Sequence, residues 1–396
     1  MSKISLKHSG GNVVSLNSPT NAPSAADVAF KLPNADGSDG QAIVTDGSGN
    51  LSFANAGGGR AHNLILNGAM TIAQRGVSST SNGYQTVDRW KLDSSNITHN
   101  STKSQQSLSS SDTPYTLGFR KFARIALSQA GVVATNSYVE FQQKIEAQNI
   151  SNSGWNYTSS SSFITVQFWF RCSTNQTFYA WVTSTDGTNK RFTFSFTASG
   201  NNAWTKITKT IPGASGIQID DNNEEGFNFV IAPFYGTDYT GSVSLDTWVT
   251  KNDATHSPDY ASTWLTAGAS TFDLTGVQLE VGSTASDFSY ESYPETLTKC
   301  QRYYQKVYYY TYTGSTSRNI LFYEQCQFHP YMRADPSLVA GYDTTNANDF
   351  ETRDGTTWRA GLPTLVTSTI YGASVRPNNS ADINFIKGIL DFSAEL

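Results

Sequence analysis

At 396 residues the chain has room for two or three domains, each with a sizeable core. Charged residues make up only 15% of it and aromatics 13%, so its exterior is neutral and rich in Ser, Thr, Asn and Gly. A net charge of −5 excludes the electrostatic footprint of a nucleic-acid binder, and no apolar run nears the ~20 residues of a membrane-spanning helix.

The first section, 1–56, is a series of short strands joined by tight turns. Ile4-Ser-Leu6 and Val13-Val-Ser-Leu16 flank Ser9-Gly-Gly-Asn12, a hairpin signal. Val28-Ala-Phe30-Lys-Leu32 runs into the turn Pro33-Asn-Ala-Asp-Gly37, and Ala42-Ile-Val44 and Leu51-Ser-Phe53 flank Asp46-Gly-Ser-Gly-Asn50. With so little apolar material, this section should be stabilised by copies of itself or by another protein. A Gly-rich linker follows at 57–62.

From 63 to 296 strand signals recur about every ten residues, the rhythm of a β-sandwich. Phe192-Thr-Phe-Ser-Phe-Thr197 alternates rings with hydroxyls; Ile164, Val166, Phe168 and Phe170 form a second apolar face, and Val139, Phe141 and Ile145 a third. Val277, Leu279 and Val281 supply a closing strand. Helical periodicity is nearly absent, apart from one short helix or turn at Pro294-Glu-Thr-Leu-Thr-Lys-Cys300. The last section, 297–396, opens on Tyr303-Tyr304 and Tyr308-Tyr309-Tyr310-Thr-Tyr312 and is expected to form a second, smaller β-sandwich. Consecutive tyrosines put rings on both faces of a strand, so Tyr303, Tyr304, Tyr308, Tyr309, Tyr310 and Tyr312 are candidates for a subunit interface. No coiled-coil heptads or shaft repeats are present. The fold class read from these signals is all-β: a small N-terminal β module, a central sandwich and a smaller C-terminal one.

Several separated motifs occur in a recognisable order. Asn63-Leu-Ile-Leu-Asn-Gly-Ala-Met70 with Gln74-Arg-Gly76 opens the sandwich, Asp88-Arg-Trp90 continues it, Gln278-Leu-Glu-Val-Gly282 closes it, and Cys300-Gln-Arg-Tyr-Tyr304 leads on. Together they resemble tail-fibre proteins of bacteriophages, in particular fibres carrying a jelly-roll domain similar to carbohydrate-binding modules. The resemblance runs from Asn63 to Tyr304 and, more weakly, through Phe328-His-Pro-Tyr-Met-Arg-Ala-Asp-Pro336. Leu32-Pro-Asn-Ala-Asp-Gly-Ser-Asp-Gly-Gln41 also resembles the N-terminal attachment modules of short fibres. The resemblance implies a homotrimeric virion protein, assembled in the host cytoplasm, that attaches by residues 1–56 to tail, baseplate or capsid and adsorbs to a host-surface glycan. A start of Met1-Ser-Lys-Ile without a signal-peptide core agrees with release by lysis rather than secretion. The alternative is a structural connector or decoration protein that binds other phage proteins; a depolymerase tailspike ranks third.

Residue chemistry favours gripping over reaction. There is no Gly-x-Ser-x-Gly elbow, Walker loop or His-Glu-x-x-His, so no enzyme and no cofactor is expected. The acidic run Asp220-Asp-Asn-Asn-Glu-Glu225 lies between strands and reads first as a solvated turn; a weak calcium site would draw on Asp220, Asp221 and Glu224. Cys172, Cys300 and Cys326 make neither a disulfide framework nor a metal set and are expected as buried thiols. Sugar recognition needs flat aromatic faces beside polar groups. The candidates for glycan contact are Trp155 and Tyr157 in a Ser/Asn-rich loop, Tyr235 and Tyr239 beside Asp238, Trp264, and Trp358 in the C-terminal section. Trp90, Trp169 and Trp204 read as core. Arg89 is expected to bridge to a carboxylate at the sandwich edge while Trp90 packs inward.

Overall fold

A pleated backbone sends successive side chains to opposite faces, which is why alternating ring and hydroxyl residues build strands here. In Lys190–Thr197 the rings of Phe192, Phe194 and Phe196 enter one core while Ser195 and Thr197 face out. The computed structural model describes residues 3–7, 10–11, 13–17, 31–33, 36–37, 41–45, 48, 50–55, 62–97, 101–198, 202–261, 263–312, 324–339, 350–354, 357–360, 364–376 and 385–396. The chain divides into two compact units, Met1–Arg60 and Ala61–Leu396.

The first unit holds two antiparallel hairpins, Lys3–Lys7 with Val13–Asn17 and Gln41–Thr45 with Leu51–Asn55, and a parallel bridge from Lys31 to Asn50. Both hairpins fall where the turn signals place them. Leu32, Ile43 and Val44 are exposed, and none of its described residues joins a buried apolar cluster. The expected strand residues 28–30 and linker residues 57–61 lie outside the described residues.

In the second unit two six-stranded sheets face each other. One runs Thr205–Pro212, Phe163–Cys172, Ser270–Val281, Lys121–Leu127, Thr102–Ser107, Ser78–Ser79; the other runs Trp248–Thr250, Lys190–Thr197, Thr177–Ser184, Glu225–Tyr235, Tyr138–Glu146, Lys91–Ser95. Every pairing in both is antiparallel. The chain is all-β, and these sheets form the expected jelly-roll-like sandwich. Their shared core is dominated by phenylalanines packed mainly edge to face, such as Phe170 on Phe196 at 4.9 Å and Phe178 on Phe272 at 5.2 Å.

The closing strand Ser270–Val281 shows how the alternation is kept. Phe272 and Leu274 face the core, and so do Val277 and Leu279, although their parity differs. The strand pairing shifts register opposite Gln167 and Trp169, next to Gly276, whose φ of 62° is left-handed. A Cβ there would lie 2.7 Å from the Phe119 ring. Val281, expected to pack, is exposed at the strand's end.

The opening motif is pinned to this strand. Asn63 accepts N–H bonds from Ile65 and Leu279 and donates to the Val277 carbonyl, and Val277 N–H donates to Gly68. Gly68 is required by close approach: a Cβ would sit 1.9 Å from the Val277 oxygen.

After a helix at Tyr293–Gln301, closed at its start by a Ser292–Glu295 capping box, come the C-terminal sheets. Tyr304–Tyr312, Phe385–Ser393, Phe350–Asp354 and Thr357–Ala360 form one, with Ser337–Val339 also paired to Phe385–Ser393; Glu324–Gln327, Gly372–Arg376 and Thr364–Thr369 form the other. They share a small core of Cys326, Phe328, Met332, Val375, Leu390 and Phe392.

A buried polar joint binds these sheets to the sandwich. Arg89, 1% exposed with a left-handed φ of 69°, donates to the Glu395 carboxylate and to the Lys144 carbonyl at 2.7 Å, and its guanidinium lies 3.5 Å over the Tyr303 ring. Arg75 reaches the same carboxylate at 3.1 Å and stacks 3.7 Å over Tyr304. Glu146 accepts from Arg302 and Tyr303, and Tyr304 donates to Asp391. The Arg89 carboxylate partner and the inward Trp90 are as expected, the partner coming from the far end of the chain. The reading of Tyr303 and Tyr304 as a subunit interface is corrected: both are buried inside the chain, because the joint takes one ring face each for an arginine. Tyr308, Tyr309, Tyr310 and Tyr312 are paired to Phe385–Ser393 through their backbone; their side chains lie outside the described residues.

Candidate functional site

Most aromatic residues singled out for glycan contact are taken up by packing. Trp155, 3% exposed, turns its indole onto Phe227 and donates to the Ser162 carbonyl at 3.3 Å. Trp264 is fully buried and donates to the Thr271 carbonyl at 3.1 Å. Tyr235, 7% exposed, donates its hydroxyl to the buried Glu140 carboxylate. These three are corrections, with a common cause: a ring in a polar loop still fills the nearest apolar gap when the loop folds back on a sheet. Tyr157 is half-buried against Trp155, its hydroxyl 3.4 Å from the Ile219 carbonyl. Asp238 is exposed and accepts from Thr135; Tyr239 is half-buried. The backbone of Trp358 pairs with Arg353, and its side chain lies outside the described residues. Trp90 is core, whereas Trp169 and Trp204 pack half-buried around Phe122 outside the main core.

Tyr235 and Tyr239 do come together, in an aromatic set that no local pattern announced. They pack with Tyr138, Trp181 and His256 on a face of the second sheet away from the main core, where the segments bearing Tyr239 and His256 lie against it. Burial, and then the nearby Arg191 guanidinium, push the His256 imidazole down to about 4. Burial raises the Glu140 carboxyl, partly offset by the Tyr235 hydroxyl. On this face the Tyr235 hydroxyl and the Glu140 carboxylate satisfy one another, while the His256 Nδ1 is buried without a hydrogen-bond partner among the described residues.

The acidic run also fails to converge. Asp220, Asp221 and Glu224 are exposed; Asp221 accepts from Asn152 at 2.7 Å, while Glu224 points to Arg333 at 3.9 Å. Among the described residues no three His, Cys, Asp or Glu side chains group as metal ligands, and these three carboxylates do not converge. The three thiols are buried and unpaired with one another.

An open cleft lies at the other sheet, between segments 63–71, 118–120 and 288–296, with a volume of about 210 Å³. Its walls come from a ring triangle: Phe119 contacts Phe288 at 4.8 Å and Tyr290 at 5.3 Å, and Phe288 contacts Tyr290 at 4.9 Å. Phe119 is buried, whereas Tyr290 is 37% exposed, so the triangle offers a ring to solvent while anchored below. Gly118, with φ 107°, lets the turn pass under Tyr290, whose hydroxyl donates to the Leu117 carbonyl at 2.6 Å. Burial pushes that hydroxyl up to about 12. Asn67 stiffens the opposite wall, accepting from the Thr71 and Ile72 N–H groups and donating to the Ile72 and Asp88 carbonyls. Arg120 and Glu291 stand exposed at the rim, Arg120 laid over Tyr115 and Glu291 paired with Lys299. Ring faces beside amide, guanidinium and carboxylate groups suit a polyhydroxylated ligand with apolar faces. Sequence reasoning missed this cleft because Phe119 is far in the chain from Phe288 and Tyr290 and none of the three sits in a distinctive motif.

No family model matches this chain, and no curated protein matches it. Solved structures with some likeness include the enzymatically active domain of tailspike protein 4 from bacteriophage CBA120, at 11% identity and a TM-score of 0.29, covering 56% of this chain and 21% of that one. Another is TmCBM61, solved with β-1,4-galactotriose, at 8% identity and a TM-score of 0.27, covering 57% of this chain and 100% of that one. A third is the N-terminal cellulose-binding domain of β-1,4-glucanase C from Cellulomonas fimi, at 10% identity and a TM-score of 0.26, covering 54% and 99%. Values this low carry no function over; the all-β class rests on the strand pairings themselves.

Proposed function

We propose that this chain is a non-catalytic adhesion protein of a bacteriophage particle, anchored through residues 1–56 and gripping a host-surface glycan through its sandwich. The observation that carries the reading is the Phe119–Phe288–Tyr290 triangle at the mouth of a rigid cleft. The cleft offers stacking and hydrogen bonding, and among the described residues Glu291 is its one lining carboxylate. Glycosidic cleavage calls on two carboxyl groups facing each other across the sugar. The buried neighbours Asp93 and Glu140, opposite each other on adjacent strands, are spent on Lys91, the Gly83 N–H and Tyr235. The phage assignment, homotrimeric assembly and location on the virion rest on the motif resemblance. Avidity across copies would multiply a weak single-site contact.

The test is a glycan array probed with the intact chain and with Tyr290→Ala, alongside an assay for reducing ends released from host polysaccharide. Adhesion through the cleft requires array binding that Tyr290→Ala weakens about tenfold, one aromatic contact's worth, with no new reducing ends. Released ends, or binding indifferent to Tyr290, overturn it.

A further inference from the structure

A second groove, of about 460 Å³, lies among the C-terminal sheets and shares no lining residue with the sandwich cleft. It is lined chiefly by Gln327, His329, Tyr331, Thr367, Thr369 and Tyr371. Tyr331 and Tyr371 are 54% and 59% exposed, in a chain whose described aromatic rings are mostly packed away. Their centroids lie 4.7 Å apart with the planes at 80°, so the rings form a corner with two perpendicular flat faces.

The corner is held from behind. Phe328 N–H donates to the Tyr371 carbonyl at 2.9 Å and Met332 N–H to the Ile370 carbonyl at 2.8 Å, tying the two ring-bearing segments together. Gln305 donates to the Pro330 carbonyl at 2.6 Å, and Tyr371 N–H to the Thr369 hydroxyl at 3.3 Å. Gly372 admits the close crossing of these segments: a Cβ there would lie 2.4 Å from the Cys326 carbonyl oxygen. Phe328 and Met332, flanking Tyr331 in sequence, are anchored in the small core. Two exposed rings therefore sit on a preorganised support, the condition under which binding loses least to ordering.

Among the described residues the lining contains no Asp, Glu, Lys or Arg. A charged glycan, an acidic peptide or an anionic surface would find no counter-charge in it. The rings and the hydroxyl, amide and imidazole groups around them match a molecule with apolar C–H faces and a rim of hydroxyls. We infer that this groove binds a neutral hexose oligosaccharide, its C–H faces against Tyr331 and Tyr371 and its hydroxyls bonded by Gln327, His329, Thr367 and Thr369. The inference extends the adhesive reading above with a second site on each chain, and does not depend on the sandwich cleft.

The experiment uses the full chain carrying Tyr290→Ala, to silence the cleft. Its probes are neutral α- and β-linked hexose oligosaccharides, with sialylated and sulfated oligosaccharides as charged controls. Expected is binding of a neutral probe that changes less than twofold when NaCl is raised about tenfold. Tyr331→Ala and Tyr371→Ala should each weaken it about tenfold. Tyr331→Phe, which keeps the ring face, should retain it, and Thr367→Val should weaken it with the melting temperature unchanged. Failure of every neutral probe, preference for the charged controls, or equal binding by the alanine variants overturns the inference. With each change also made singly in the otherwise unchanged chain, binding that survives Tyr331→Ala and Tyr371→Ala but is lost with Tyr290→Ala sinks this groove and leaves the cleft standing; the opposite pattern does the reverse.

Discussion

Replacing Glu395 with Gln should loosen the joint between the sandwich and the C-terminal sheets more than replacing either Arg75 or Arg89. Glu395 is 8% exposed at its side chain and answers two cations, Arg89 and Arg75. Gln keeps the shape and an acceptor but strands both guanidinium charges, one of them almost completely buried. Breaking a buried pair by removing one partner costs about 3–5 kcal/mol, because the survivor stays desolvated and uncompensated. Unfolding entropy of about 2.1 cal/mol/K per residue, over the about 336 residues of Ala61–Leu396, gives about 0.7 kcal/mol/K. The melting temperature should therefore fall by about 4 to 7 °C, read by calorimetry of the intact chain. Arg75→Met leaves Arg89 still paired and should cost less. Arg89→Met combined with Glu395→Gln should cost less than the two single changes added together, since the double variant removes the most deeply buried charge along with its partner. If Glu395→Gln lowers stability by less than about 1 kcal/mol, the size of an exposed pair, the joint is not the electrostatic clamp described here.

Three further outcomes are expected. Because the folded His256 titrates at about 4 rather than 6.5, the unfolded chain takes up its proton first as pH falls; stability present above pH 6.5 should decline by up to about 3 kcal/mol towards pH 4. His256→Phe, fitted among Trp181, Tyr235 and Tyr239 with Arg191, Lys251 and Asp253 nearby, should remove that acid limb in melts recorded across this range. Glu140 has the opposite sign: its folded carboxyl is raised, so stability is lost as pH climbs past the ordinary carboxylate range. Glu140→Gln, which still accepts from Tyr235, should raise the melting temperature at pH 7 and leave it unchanged at pH 4; a drop at pH 7 would refute the burial argument. Gly68→Ala should cost about 3 kcal/mol or more, measured by denaturant titration, since the Val277 carbonyl already occupies the methyl's place.

What the residue order determined by itself is the local part of the structure. Strict alternation at Phe192–Phe196 and Ile164–Phe170 is a period-two signal that needs no partner to be read, and the N-terminal hairpins and the Pro294 helix announce themselves by turn and cap chemistry. Arg89 also proved legible, since an arginine between Asp88 and an inward Trp90 at a sandwich edge has few options but an acidic partner. The fate of each loop aromatic was decided only by tertiary structure. Trp155 and Tyr331 both sit in irregular segments outside the strand pattern; one becomes a core plug because its loop folds onto Phe227, and the other stays out because its neighbours Phe328 and Met332 take the core positions. The same holds for Tyr303 and Tyr304, whose adjacency suggested a surface strand until residues some ninety positions on, ending in Glu395, brought the charge that organises both rings with Arg75 and Arg89. Side-chain exposure depends on what crosses over a segment from elsewhere in the chain, and in an antiparallel sandwich most of those crossings are long-range.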